Sequence, residues 1–227
     1  MQGVVAATRS YGGITAEERR ARRRAALIDA ALNLFAEAGA SGVTKKAVCA
    51  SARLNDRYFY EHFTDSNALL EAAAQDITTQ GLQTVTSAIV DAGSDIRAQV
   101  HAAADAALDF MTDDHRRSQL LLGSHTTEVL QRARLASTRA IANTMSALAR
   151  EQLGSSAPPP LDTDLAAFTV VSGTMELVAA WLRGEYEIDR QHLADLVAAM
   201  LLSATYISTA LPKSITAEPA PILGVKP

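Results

Sequence analysis

Apolar residues recur at three- and four-residue steps along most of this chain, and two-residue alternation is scarce. That pattern predicts helices throughout, and hence an all-α fold. In the first run Leu27, Ile28, Ala31, Leu34, Phe35 and Ala38 fall on one face. Thr15 and Glu18 have the spacing of a capping box and open that helix, and Gly39 stands where its C-terminus is expected. "SGVT" follows as a turn, with Thr44 as N-cap of a short second helix over about 44–50. Asn55 caps a third helix. Thr64 or Asp65 caps a fourth, over about 65–90, carrying Leu69, Leu70, Ala73 and Ile77.

Beyond residue 92 the pattern predicts helices at about 94–112, 115–123, 126–153, 161–184 and 189–209. "GSSAPPP" at 154–160 is a linker, because three consecutive prolines cannot continue a helix. Four segments result: a mobile arm at 1–13, a three-helix unit at 14–64, a helical body at 65–209 and a flexible tail at 210–227.

Composition changes this picture in two places. The 227 residues suit one large domain or two small ones. No apolar run resembles a signal peptide or approaches the roughly 18 residues of a membrane span, so no membrane partner is expected and a cytoplasmic location is the default. The lone Cys49 cannot form an internal disulfide. Charge is uneven. Residues 1–63 hold ten Lys/Arg and six Asp/Glu, a net of +4, whereas residues 64–227 hold eleven and nineteen, a net of −8. A basic end on an acidic body suggests that only the first part meets a polyanion.

The third helix is unusual. The chain has eleven aromatic residues, and four of them, Tyr58, Phe59, Tyr60 and Phe63, lie within "NDRYFYEHF" at 55–63. At about 100° per residue Phe59 and Phe63 share one face, and Arg57, Tyr58 and Glu61 lie on the other. Two aromatics thus anchor the helix inward, with Val48 and Leu54 nearby. Two short helices joined by "SARL" and backed by a long amphipathic helix make a helix-turn-helix, whose second helix fits the major groove of double-stranded DNA.

Residues 24–70 resemble the DNA-binding domain of the tetracycline-repressor (TetR) family of bacterial transcription regulators. The matching features are Phe35 to Gly39, Gly42 to Thr44, Tyr60 to Phe63, and Leu69–Leu70. Three positions depart from the family pattern. Arg53 replaces the turn glycine, Ser66 replaces a lysine at the start of the fourth helix, and Arg57 and Tyr58 replace small residues early in the recognition helix. These departures bear on the contact pattern, not on the fold.

DNA needs positive charge for affinity and hydrogen-bonding side chains for base choice. The candidate set is Thr44, Lys45, Lys46, Asn55, Arg57, Tyr58, Tyr60 and His62. Thr44, Lys45 and Lys46 open the second helix, where a phosphate can meet free backbone N–H groups. Arg57 can pair with guanine O6 and N7, and Tyr58 can pack on a thymine methyl. A surface ion pair with Glu61 is the other reading of Arg57. The resemblance implies that Tyr60 and His62 reach the DNA backbone. It implies that Arg19, Arg20, Arg22, Arg23 and Arg24 approach the backbone or the adjacent minor groove, with a solvated basic face as the alternative.

No cysteine, histidine and carboxylate spacing suggests a metal site, and no catalytic motif or phosphate loop stands out. Neither an enzyme nor a cofactor is expected. The resemblance implies that the body binds a small molecule and dimerises. Phe110, Met111, Leu121, His125, Met145, Gly173, Met175 and Trp181 are candidate pocket residues. Leu193, Leu196, Val197, Met200, Leu201, Ala204 and Ile207 form an apolar stripe. With Ala166 and Val170 they give a candidate homodimer interface in a four-helix bundle. The expected function is that of a repressor released from its operator by an apolar or amphipathic ligand. A ligand-binding helical protein or enzyme with a vestigial helix-turn-helix and a nonspecific DNA-packaging protein are the alternatives.

Overall fold

The computed structural model describes residues 15–204. The N-terminal arm, the 210–227 tail, Ile207 and the end of the last helix lie outside the described residues. Nine α-helices follow one another, and there is no strand among the described residues. The chain divides into two compact units between Ala73 and Ala74.

The first unit contains α1 (Ala16–Gly42), α2 (Lys45–Ser51), α3 (Asp56–Tyr60) and the start of α4 (Ser66–Asp91). Each boundary has a local cause. At the start of α1 the Thr15 N–H donates to Glu18 Oε2 at 2.6 Å, and the Glu18 N–H donates to Thr15 Oγ1 at 3.1 Å. Gly39 breaks the regular helix with φ 65°, and one further turn runs on to Gly42. Thr44 Oγ1 and Asn55 Oδ1 cap α2 and α3, and Asp65 Oδ1 takes the Ala68 N–H at 2.8 Å to cap α4.

Between α2 and α3 the Arg53 N–H donates to the Ala50 carbonyl and the Leu54 N–H to the Cys49 carbonyl. That is a Schellman turn with Arg53 at the left-handed position, φ 53°, where glycine fits without strain. The core is Leu27, Ala31, Phe35, Val48, Cys49, Phe59, Phe63, Leu69 and Leu70. Phe59 is fully buried and meets Phe63 edge-on at 6.0 Å. Truncating such a ring to Ala costs about 3–5 kcal/mol, so this pair fixes the attitude of α3.

The second unit continues α4 and adds α5 (Ile96–Thr112), α6 (His115–Leu122), α7 (Glu128–Leu153), α8 (Pro160–Leu182) and α9 (Arg190–Ala204). Two ionic clamps hold it. Arg190 reaches from α9 to Asp105 at 3.0 Å and to Asp109 at 2.5 Å on α5. Arg150 on α7 meets Asp164 on α8 at 2.7 Å, and Ser146 also bonds Asp164. One core gathers Leu108, Leu121, Val178, Leu193 and Val197, and a smaller one Ala142, Ala167 and Val171. By length and composition α8 could cross a membrane, contrary to the sequence expectation. Its apolar character is an average over Ala, Val and Leu diluted by Thr, Ser and Gly, so no unbroken run shows it. Only 28% of its most apolar stretch is buried.

Candidate nucleic-acid interface and ligand cavity

Capping and core packing leave one side of α3 outward. The Arg57 side chain is 84% exposed, with Nε 3.6 Å from Glu61 Oε1, beyond hydrogen-bonding range. Tyr60 is 60% exposed. Lys45 Nζ bonds Asp56 at 2.5 Å and lies 5.0 Å from the Tyr60 ring. The Asp56 carboxylate raises the Lys45 pKa above its ordinary value. Lys46 is exposed and makes no ion pair among the described residues. Thr44 and Asn55 are exposed but use their side-chain oxygens as caps. They hold the helix starts in place, where the first N–H groups point outward.

Tyr58 and His62 are half-buried, and two arginines of α1 explain why. The Arg23 guanidinium stacks 4.5 Å over the Tyr58 ring and approaches Glu61 Oε2 at 3.4 Å. Arg20 donates to the Glu61 carbonyl at 3.3 Å. His62 sits in a small pocket with Glu17, Arg20, Ala21, Arg24 and Glu61, and its Nε2 is buried without a partner. Burial, then the Arg20 and Arg23 charges, lower its pKa. The α1 arginines thus brace the end of the recognition helix, a role that sequence spacing does not reveal.

The second unit contains a partly open cavity of about 360 Å³ among α4 to α9. Its wall is largely apolar: Ile77, Leu82 and Val85 on α4, Ile141 and Leu148 on α7, and Val171 on α8. Of the pocket candidates, Phe110, Met111, Leu121, Met145 and Met175 line it. His125, Gly173 and Trp181 do not. His125 is exposed, with Nε2 3.6 Å from Glu176. Gly173 faces open space. Trp181 donates its indole N–H to the Ile188 carbonyl at 2.9 Å, closing the turn between α8 and α9. Gly81 is the glycine in the wall, where a Cβ would meet the Phe110 ring at 3.1 Å.

The interface candidates separate as well. Leu193 and Val197 are buried within the chain's own core, and Val197, Leu201 and Val170 line the cavity. Ala166, Met200 and Ala204 are half-buried. The large exposed apolar residues of α8 and α9 are Leu161, Leu165, Phe168 and Leu196.

Residues 27–73 match the family model of bacterial regulatory proteins, tetR family. Among curated proteins none matches the sequence. Solved structures share the fold. The fatty acid degradation regulator FadR from Bacillus halodurans has a TM-score of 0.66 at 18% identity, covering 79% of this chain and 94% of that one. A TetR-family regulator from Rhodococcus sp. has a TM-score of 0.65 at 20% identity, covering 82% and 99%. The regulator FadR from Bacillus subtilis, in complex with stearoyl-CoA, has a TM-score of 0.62 at 19% identity, covering 79% and 98%. Residues 27–73 thus carry the match to bacterial regulatory proteins of the tetR family, and most of the chain shares its all-helical fold with solved TetR-family transcriptional regulators.

Proposed function

We propose that this regulator is a cytoplasmic homodimeric repressor that binds operator DNA through α2 and α3 and leaves it when an apolar or amphipathic molecule fills the cavity. The observation that carries the reading is that α4 serves both units. Leu69, Leu70 and Ala73 belong to the core beneath the recognition helix, and Ile77, Thr78, Gly81 and Val85 belong to the cavity wall. A ligand that reshapes the wall acts on the helix that supports the DNA-binding core. To act as a switch it must bind the released state more tightly than the DNA-bound state.

Base choice falls to Arg57 and Tyr58, and phosphate binding to Lys46, Tyr60, His62 and the N-termini of α2 and α3. The exposure of Arg57 supports the first assignment, and that of Lys46 and Tyr60 the second. A homodimer is supported by the apolar residues that α8 and α9 leave uncovered, and a second copy that covers them makes a membrane unnecessary for α8. The stearoyl-CoA held by a neighbour of the same fold supports a ligand with a long aliphatic part.

The test is a gel shift on fragments of the host genome, repeated with long-chain acyl compounds. Specific retardation that a compound relieves supports the proposal. Sequence-blind binding favours a packaging protein, and no binding favours a ligand-binding protein with a vestigial head.

A further inference from the structure

The cavity wall is not uniformly apolar. Thr86, Gln99, Thr144 and Gln152 line it at separate places, and one further set of polar residues lies on α4, α7, α8 and the turn after α6. Thr78 Oγ1 donates to the Ala74 carbonyl at 2.8 Å, so in its 2.7 Å contact with Ser137 Oγ it accepts and Ser137 donates. That pair is satisfied. Ser124 Oγ and Thr174 Oγ1 are not: both residues line the cavity, and both oxygens are buried without a partner. Buried hydroxyls are ordinarily paired, so two orphans in one wall offer two groups that can donate to or accept from a ligand.

Charge points the same way. Among the described residues Arg117 and Arg134 line the cavity and no Asp, Glu, Lys or His does; Arg117 donates to the Phe110 carbonyl at 2.7 Å. Arg134 lies one turn before Ser137 on the same face of α7. Its Nη1 meets Glu176 Oε1 at 2.8 Å, and that oxygen lies 3.6 Å from His125 Nε2. The Glu176 carboxylate therefore ties together the three segments that carry Ser124, Arg134 and Thr174. From this polar region the wall turns apolar in three- and four-residue steps: Gly81, Val85 and Ile89 on α4, and Ile141, Met145 and Leu148 on α7. Thr78 to Ile89 spans about 16 Å at the helical rise of about 1.5 Å per residue.

We infer that Ser124, Thr174 and Arg134 hold the acyl oxygen of an aliphatic carboxylic acid or its thioester, whose chain runs along α4 and α7. This assignment rests on the proposed reading of the cavity as the ligand site. The two hydroxyls donate to the acyl oxygen, and Arg134, whose Nη1 stays on Glu176 at 2.8 Å, offers its remaining N–H groups.

The test uses the full-length protein with four probes: hexadecanoate, its coenzyme A thioester, its methyl ester and the neutral dye Nile red. Isothermal titration or dye displacement reads affinity for the wild type and for a Ser124→Ala, Thr174→Val double variant. These changes remove the hydroxyls and leave the Glu176 clamp in place. The variant should bind the acid at least about 10-fold more weakly, because hydrogen bonds to a charged oxygen are among the stronger ones, and the thioester, whose acyl oxygen is neutral, severalfold more weakly. Its Nile red affinity should be unchanged, which also shows that the cavity still folds. Tighter binding of acid or of thioester supports the assignment and names the source of the acyl group. Nile red binding with no loss of acyl affinity in the variant overturns it while leaving the cavity reading intact. A wild type that binds none of the four probes overturns the cavity reading itself.

Discussion

Replacing Arg57 with Ala separates base reading from mere attachment to DNA. The side chain is 84% exposed, and its nearest carboxylate, Glu61, is 3.6 Å away. Glu61 also keeps Arg23 at 3.4 Å. An exposed pair of this kind contributes about 0–1 kcal/mol, so the variant should melt within a few degrees of the wild type. A bidentate arginine–guanine pair discriminates against the wrong base by about 1–3 kcal/mol, or about 5- to 150-fold per half-site. Operator affinity should therefore fall by at least that factor, while affinity for a scrambled duplex changes little. Lys46→Ala is the control: it should weaken all sequences alike and lower the salt slope by about one unit. Fluorescence anisotropy at several salt concentrations, on operator and scrambled duplexes, measures both. Equal loss on the two duplexes for Arg57→Ala would refute base reading by this residue.

Three further outcomes follow from particular contacts. Arg53→Gly should raise stability by about 0.5–1 kcal/mol, because glycine removes the roughly 1–2 kcal/mol strain at φ 53° at some cost in unfolded-state entropy; chemical denaturation checks the midpoint. His62 has a folded-state pKa below its unfolded value of about 6.5. The unfolded chain therefore takes up the proton first, and stability present above that value is lost as pH falls through it. Melting from pH 8 to pH 5.5 should show this slope, and His62→Gln should flatten it. Leu165→Glu with Phe168→Glu should give a folded monomer in sedimentation, since both residues are exposed on α8. Val197→Glu should instead unfold the second unit, because it places a charge inside the chain's own core.

The local parts of the structure were legible in the sequence. The caps at Thr15, Thr44 and Asn55 and the inward pair Phe59 and Phe63 depend on residues within one or two turns, and spacing alone expresses them. Long-range partners were not. The stripe on α9 is wide because Leu193 and Val197 fill the chain's own core beside the exposed Leu196, and periodicity cannot say which body covers an apolar face. Trp181 has the bulk of a pocket wall, but a carbonyl seven residues later holds its indole. Arg117 and Arg134 carry charge, which a pattern of apolar positions does not select, although their long stems reach the cavity. At Arg53 the missing turn glycine did signal something specific: the backbone keeps the left-handed turn, and arginine bears the strain.

The central claim is that ligand in the cavity and DNA on α3 oppose each other through one chain. Linkage makes the measurement direct: the affinity of one acyl ligand, taken with and without saturating operator. A coupling of about 1–3 kcal/mol should weaken the ligand roughly 5- to 150-fold when operator is bound, and ligand should weaken operator by the same factor. Equal ligand affinity in the two titrations would contradict the account.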